Sequence, residues 1–325
     1  MANPSAAGDI ELARVLAHCG GRPVDAVEFL VGAIASEPSA PEPYAALAEL
    51  WRNRRSEVDE GLRRKGSVRA GLAQSYFFFL DGEVDDAAMA LGSVTGARSD
   101  VAWGAAPWFG DARFLDAVSP EALAEACLRT LDHGPHLDTD EARHRFEPWF
   151  HAVDVVSARS PVPEALASMS RLPRACGRHE LALALCDRAD AVDRVFWTAV
   201  ARGTTWRVMG DLDRAVAAFE DALTLDPDNW SLHLDLADLR ADQGDFAAAV
   251  DLVDRGLVHE PDEVSLRAAS AAYRARLSGS ADDLEALVDL APELENPSYR
   301  ERLVDLACAG PGLPPDLVAE ALRVR

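Results

Sequence analysis

GDLDRA at residues 210–215 and GDFAAA at residues 244–249 are two copies of one pattern, and they decide the fold. Each copy is followed by a second shared motif, PDN at residues 227–229 and PDE at residues 261–263. The leading glycines, the closing alanines and the prolines are all separated by one and the same interval. A fixed period of about 34 residues predicts stacked pairs of antiparallel helices.

The residue types in each copy explain why the chain would turn there. Gly210 and Gly244 suit a helix end, because a left-handed backbone conformation brings no Cβ clash in glycine. Asp211 and Asp245 follow directly and can cap the first amides of the next helix. Small alanines let the paired helices approach closely, and the prolines stop the second helix. The pattern therefore predicts one helical hairpin per copy.

This unit resembles the tetratricopeptide repeat, a pair of antiparallel helices that recurs with the same period. The positions that carry the resemblance are Gly203, Trp206, Gly210, Ala215, Phe219, Ala222 and Pro227 in unit 196–229, and Leu236, Ala237, Gly244, Ala249, Gly256 and Pro261 in unit 230–263. The resemblance implies an all-α fold, a helical-hairpin solenoid that winds as a right-handed superhelix. It also implies a concave groove, lined by the first helices of successive units, in which such proteins bind other proteins or peptides.

The same template finds weaker copies on both sides of the clear pair. Turn glycines recur at Gly21, Gly82 and Gly177, whereas unit 264–297 is degenerate because Ser278 stands where the turn glycine is expected. In the middle of the chain the template fails although helical patterns persist. We therefore predict four segments: an N-terminal array of about three units (1–100), an irregular helical joint (101–162), a C-terminal array (163–297) and C-terminal capping helices (298–325).

The charge balance limits the partners that this chain can have. Its 325 residues include 55 acidic and 32 basic side chains, for a formal net charge of −23. Nucleic acid binding normally requires a basic face that displaces counterions, and an acidic chain is repelled by anionic membranes. The clearly basic run that begins at Arg52 fits a solvated helix face. The charge therefore favours a protein or peptide partner, with no nucleic acid and no membrane.

The sequence also favours a cytoplasmic location. No charged and apolar leader follows Met1, and no window approaches the roughly 18 apolar residues of a membrane span. The five cysteines are scattered without a CxxC pair, as expected of buried thiols in a reducing compartment. We therefore expect a cytoplasmic protein and make no prediction of its oligomeric state.

Four histidines are the strongest candidates for chemistry. His133, His136, His144 and His151 could form a metal or hydrolytic site with neighbouring carboxylates, but an HExxH pair is missing and we favour surface and interface histidines as the explanation of the spacing. No nucleophile elbow, phosphate-binding loop or dinucleotide fingerprint is present. We therefore predict no enzyme, no cofactor and no metal, and keep the histidine site as an alternative.

Aromatic side chains concentrate in the same irregular stretch: Trp103, Trp108 and Trp149, with Phe109, Phe114 and Phe150. Aromatic residues can anchor a partner as hot spots, or they can fill an awkward core where regular repeats fail. We favour the core.

Projecting the first helices onto the repeat names the residues of the groove. They are Arg52, Asn53, Arg69 and Tyr76 in the N-terminal array, and Arg207, Leu234, Asp238 and Asp242 in the C-terminal array. The arginines could hold an acidic peptide, because guanidinium binds carboxylate at two points, whereas the aspartates would prefer a basic one.

We therefore predict a non-catalytic interaction scaffold that binds a protein or peptide segment in the groove. The other alternative is a dedicated regulatory subunit of a larger bacterial machine. The identity of the partner stays open.

Overall fold

The computed structural model describes residues 6–18, 21–65, 67–132, 137 and 139–325. Within these residues every regular element is a helix and there is no β-strand, which confirms the all-α prediction. Contacts divide the chain into two compact units, Met1–Ala201 (unit 1) and Arg202–Arg325 (unit 2). None of the described helices is long and apolar enough to cross a membrane.

The helices that begin in unit 1 are α1 (Ala6–His18), α2 (Pro23–Ser36), α3 (Pro41–Lys65), α4 (Val68–Asp81), α5 (Val84–Ala97), α6 (Ala112–Leu115), α7 (Pro120–Arg129), α8 (Asp140–Arg159), α9 (Pro163–Met169), α10 (Arg171–Ala175), α11 (His179–Asp190) and α12 (Phe196–Val208). Those of unit 2 are α13 (Leu212–Leu225), α14 (Trp230–Asp242), α15 (Phe246–His259), α16 (Val264–Ser278), α17 (Ala281–Leu290), α18 (Pro297–Cys308) and α19 (Pro315–Ala321).

Unit 2 contains the periodic hairpins that the sequence predicts. Gly210 and Gly244 take left-handed φ values of +79° and +83°. The carboxylate of Asp211 accepts a hydrogen bond from the amide of Arg214 at 3.1 Å, and Asp245 caps α15 in the same way. Both the turn glycines and the aspartate caps are therefore confirmed.

The degenerate unit has its turn glycine one residue later than the template places it. Helix α16 extends through Ser278, and the left-handed position falls on Gly279, with φ +69°. A Cβ atom on Gly279 would lie 1.7 Å from the carbonyl oxygen of Pro311, so only glycine fits. The prediction that Ser278 occupies the turn position was wrong, because α16 is longer than α14.

Unit 1 is built around one continuous core. The turn glycines of its weaker copies, Gly21, Gly82 and Gly177, all have positive φ. Helix α4 pairs with α5, and then α5 packs on α7, α7 on α9 and α9 on α11. Most of its buried side chains form one cluster from Ala13 to Ala189, which includes the segment without recognisable repeats, and Ala167, Cys186 and Ala201 form a small separate cluster.

The contacts divide the chain at one boundary, after Ala201. The four-segment division and the right-handed winding therefore stay predictions.

The aromatic residues of the irregular segment belong to this core. Trp108 is 4% exposed, and Phe109, Phe114 and Trp149 are fully buried. The ring centres of Phe109 and Trp149 lie 4.7 Å apart, and those of Trp108 and Phe114 lie 5.5 Å apart. Helix α8, which carries Trp149, continues through Pro148 instead of breaking there. The prediction that these rings fill a core is confirmed.

Candidate functional site

Side chains from helices α16 and α18 of unit 2 surround the carboxylate of Asp238, which lies on α14. Helix α14 contacts α16, and α16 contacts α18. Asp238 is only 6% exposed. Its Oδ1 atom accepts hydrogen bonds from the hydroxyl of Tyr273, from the hydroxyl of Tyr299 at 3.3 Å, and from Nη1 of Arg302 at 2.7 Å. Asp238 is therefore a buried and engaged group rather than an open contact of the groove.

Arg302 also joins the exposed end of α14 to this cluster. Its Nη2 atom donates to Oδ1 of Asp242 at 2.8 Å and to the backbone carbonyl of Asp238 at 3.3 Å. Burial, and next the charge of Asp238, raise the pKa of Tyr273 and of Tyr299 well above the usual range. Both hydroxyls therefore stay protonated and act as donors. We call Asp238, Asp242, Tyr273, Tyr299 and Arg302 the Asp238 cluster.

The remaining predicted groove residues of unit 2 lie beside this cluster. Arg207 donates from Nη1 to Oδ1 of Asp235 at 3.2 Å, so its charge is already paired. Burial raises the pKa of Asp235, and Arg207 opposes that rise. Leu234 is half-buried, whereas Asp242 is exposed. The structure thus brings Asp238 and Asp242 together through Arg302.

In unit 1 the chain covers part of its own predicted groove. Tyr76 is 9% exposed, and its ring packs edge-on against Tyr44 with the ring centres 5.2 Å apart. The ring of Trp108 lies 6.2 Å from Tyr76 and 5.2 Å from Phe79, centre to centre. The guanidinium of Arg113 lies 5.0 Å from the centre of the Phe79 ring. Tyr76 is therefore enclosed by residues that the repeat template does not place there.

Arg52, Asn53 and Arg69 remain exposed on α3 and α4. The Nε atom of Arg52 donates to the backbone carbonyl of Ala48 at 3.2 Å. Among the described residues, neither Arg52 nor Arg69 forms an ion pair. Burial raises the pKa of Tyr76, and the positive charges of Arg113 and Arg52 oppose that rise. Of the residues predicted for the groove in unit 1, Arg52, Asn53 and Arg69 therefore stay open to solvent.

A cavity of about 340 Å³ adjoins Arg52. It is lined by Ala48, Trp51, Arg52, Arg55, Leu80 and Asp81, and we call it the Arg52 pocket. Helix α3 departs from helical geometry at Arg54, with φ −136° and ψ 30°, immediately before Arg55.

One wall of the Arg52 pocket is held by directional contacts. The ring of Trp51 stacks on Phe77 with the ring centres 4.2 Å apart, and its Nε1 atom donates to Oδ1 of Asp81 at 3.2 Å. Arg55 donates to Oδ2 of Asp81 at 2.5 Å and lies 4.8 Å above the Trp51 ring. Because Asp81 is already shared by two donors, Arg52 is the uncompensated charge of the pocket.

Sequence reasoning missed Tyr299 and Arg302, although the repeat period places both residues on the groove face. The helix projection also puts Trp197 and Val200 on the groove face of the first clear unit, and moving three repeat periods along the chain from each leads to Tyr299 and Arg302. The degenerate unit between them hides the signal. Arg113 and Trp108 had no such signal, because they lie where the template fails.

The histidine site is only partly within the described residues. His133 and His136 lie outside them. His144 and His151 are on α8, and the part of the chain that the structure describes contains no group of three His, Cys, Asp or Glu side chains placed to hold a metal ion.

Comparisons with known proteins agree with the geometry of unit 2. Residues 209–273 match the tetratricopeptide repeat family. No curated protein matches the chain.

Several solved structures have a similar fold. One is a tetratricopeptide repeat protein from Parabacteroides merdae ATCC 43184, with 14% identity over 99% of both chains and a TM-score of 0.41. Another is TTC0263, a thermophilic TPR protein of Thermus thermophilus, with 19% identity over 64% of this chain and 98% of that one, and a TM-score of 0.40. A third is the human IFIT1 dimer with m7Gppp-AAAA, with 11% identity over 100% of this chain and 76% of that one, and a TM-score of 0.42. At these values the likeness says nothing about what this chain binds.

Proposed function

We propose that this chain, which carries tetratricopeptide repeats, is a non-catalytic scaffold that holds an acidic segment of a partner protein on the α3–α4 face of unit 1. The repeat fold is generally a scaffold for protein–protein interaction. That general role indicates that the partner is a protein, and the positive charges of the α3–α4 face indicate that its bound segment is acidic.

The observation that carries the proposal is the state of two arginines. Arg52 and Arg69 are exposed on neighbouring first helices, and within the described residues no carboxylate neutralises them. The adjacent Arg54 and Arg55, by contrast, pair with Glu57 and Asp81. Carboxylates on a partner would complete both pairs, because guanidinium binds carboxylate in a two-point geometry.

The corresponding face of unit 2 supports this choice by contrast. The carboxylate of Asp238 is buried, and Arg302 already neutralises Asp238 and Asp242. Arg207 is paired with Asp235. A partner would have to displace these internal contacts before it could use them. Charge reversal at Asp238 is therefore expected to disturb folding before it reports on binding.

Crosslinking in living cells, followed by mass spectrometry, tests the proposal. We expect the double variant Arg52→Glu and Arg69→Glu to lose at least about tenfold of its crosslinked partner, because two attractive pairs become repulsive. The matched control reverses Arg171 and Arg267, which are also exposed but lie on α10 and α16. Far-UV circular dichroism should be unchanged in both variants. If both double variants recover the same amount of crosslinked partner, the proposal is wrong.

A further inference from the structure

Helix α4 holds two exposed positions at a fixed separation on one side of unit 1. The hydroxyl of Ser67 caps its amino end, and Gly82, with φ +83°, closes its carboxyl end. Arg69 and Leu80 lie eleven positions apart between these caps. With 3.6 residues per turn and a rise of about 1.5 Å per residue, that interval makes about three whole turns and about 16 Å. Arg69 and Leu80 therefore project from the same side of α4, near its two ends.

Each of these two ends combines a cation with an exposed aliphatic side chain. At the amino end, Arg69 follows Val68, which is 40% exposed. At the carboxyl end, Leu80 is 36% exposed and lines the Arg52 pocket together with Arg52. Neither arginine has an ion pair within the described part of the chain. The two ends therefore offer the same kind of contact, a guanidinium for a carboxylate and an aliphatic surface for an apolar neighbour.

The Arg52 pocket can accept a carboxylate although it contains one of its own. Its charged lining consists of Arg52, Arg55 and Asp81, so the positive charges outnumber the negative one. Asp81 already accepts hydrogen bonds from Trp51 and Arg55. An incoming carboxylate therefore meets the unpaired charge of Arg52 in a cavity of about 340 Å³.

The middle of the same side of α4 is closed. Leu72, Ala73 and Tyr76 lie between the two ends and are all buried, Tyr76 beneath the ring of Trp108. A bound helix is about 10–12 Å wide and is normally held by apolar side chains at successive turns, which need a continuous groove. These described positions leave no such groove between the two ends. A thin, extended segment that touches α4 at both ends suits this surface better than a helix.

We propose that the partner segment binds in an extended conformation and carries two acidic residues about five positions apart, each beside an apolar residue. One acidic side chain pairs with Arg69 and the other with Arg52. An extended chain advances about 3.3 Å per residue, so five residues span the roughly 16 Å between the two ends of α4. The inference rests on the proposed function, since it concerns the same two arginines, and it adds the conformation and the acidic spacing of the partner.

Fluorescence anisotropy with the full chain tests the inference. The probes are labelled synthetic peptides that each contain two glutamate–leucine pairs. Flexible glycine–serine linkers place the glutamates two or five positions apart, and a helical alanine-rich linker places them eleven apart. We expect the five-position peptide to bind about fivefold more tightly than the two-position peptide, because only the longer one reaches both arginines. It should also bind more tightly than the helical peptide.

Single substitutions identify the two contacts. In Arg69→Met the advantage of the five-position peptide should disappear, while the two-position peptide keeps most of its affinity through Arg52. Arg52→Met should have the same effect, with the remaining contact at Arg69. Arg171 is also exposed but lies on α10, so the control Arg171→Met should preserve the fivefold preference. Far-UV circular dichroism should be unchanged in all three variants.

The outcomes separate this inference from the proposed function. Equal affinities of the two-position and five-position peptides, both lost in the double variant Arg52→Met and Arg69→Met, overturn the spacing and retain the acidic-segment scaffold. A helical peptide that binds more tightly than the five-position peptide overturns the extended conformation. Peptides that bind the double variant as well as the unchanged chain, or that bind neither, overturn both proposals.

Discussion

Part of the first-helix face of each unit is covered by its own chain, but with opposite chemistry in the two units. In unit 1 the ring of Trp108 lies over Tyr76 and Phe79, and the same cluster of rings continues to Trp149. In unit 2 a single carboxylate, Asp238, is surrounded by two tyrosine hydroxyls and a guanidinium.

The difference shows two ways in which a repeat can bury a surface that regular repeats leave open. Rings bury a large area without strict directions, so an irregular segment can supply them. A buried carboxylate needs each of its donors at a fixed place, so it occurs where regular helices set the positions. The stability of the ring cluster in unit 1, which we call the aromatic closure, should therefore depend on the volume that its side chains fill. The stability of the Asp238 cluster, which we call the polar closure, should depend on each hydrogen-bonding partner.

The largest expected effect is loss of a ring from unit 1. Trp149→Ala should destabilise unit 1 by about 3–5 kcal/mol, because it leaves a cavity in a core that surrounding helices cannot close. Urea denaturation followed by circular dichroism measures this loss. The control is Trp197→Ala, since Trp197 is 60% exposed and its removal should cost less than about 0.5 kcal/mol. If both variants unfold at the same urea concentration, the aromatic closure is not a core.

The turns and caps of unit 2 could be predicted because each depends on residues close together in sequence. Gly210 and Asp211 act within one turn of the chain, and the next copy, at Gly244 and Asp245, repeats the evidence. The closure of unit 1 could not be predicted in this way. Trp108 covers Tyr76 from beyond the next helix, α5, and nothing local in either residue specifies the contact. Hydrophobic burial selects the core as a whole and leaves the pairings to the fold.

The next effect in size is expected in the Asp238 cluster. Arg302→Met should destabilise unit 2 by about 2 kcal/mol, because the buried carboxylate of Asp238 loses the guanidinium that donates to it. Adding Asp238→Asn to that variant should recover part of the loss, since no uncompensated charge remains. Urea denaturation of the two single variants and the double variant gives the coupling between the residues.

Arg255→Met is the matched control for this cycle. Arg255 pairs with Asp251, but their side chains are 58% and 66% exposed, so the change should cost about 0.5 kcal/mol or less. A loss for Arg302→Met no greater than that of the control would mean that the polar closure contributes nothing beyond a surface ion pair.

The site shows the same limit of sequence reasoning as the fold. The period places Asp238 on the first-helix face, and extending it by three units from Val200 also places Arg302 there. The period does not reveal that the two side chains neutralise each other, because that depends on how close α18 comes to α14. Arg52 and Arg69 keep the exposure that the template gives them, since no other described segment carries a compensating carboxylate to them.

The smallest expected effect concerns a second buried polar group of unit 2, His233. Its Nε2 atom lies 3.1 Å from the backbone carbonyl of Pro227 and acts as the donor, so Nδ1 carries no proton. Nδ1 is buried and has no partner among the described residues. The ring stacks at 6.0 Å on His259, whose Nδ1 lies 3.6 Å from Asp228. A proton on Nδ1 would place a charge where no acceptor meets it.

Burial lowers the pKa of His233. The charges of His259 and Arg255 lower it further, and the hydrogen bond to the Pro227 carbonyl opposes the shift. The unfolded chain, with an ordinary histidine pKa of about 6.5, then binds the proton more readily than the folded one. The stability of unit 2 should therefore be complete above about pH 6.5 and fall as the pH drops from there toward the lowered value. Urea denaturation between pH 7.5 and 5.0 measures this slope, which His233→Gln should reduce, whereas His144→Gln on the exposed face of α8 should not. A slope unchanged in His233→Gln would show that this histidine titrates as freely in the folded chain as in the unfolded one.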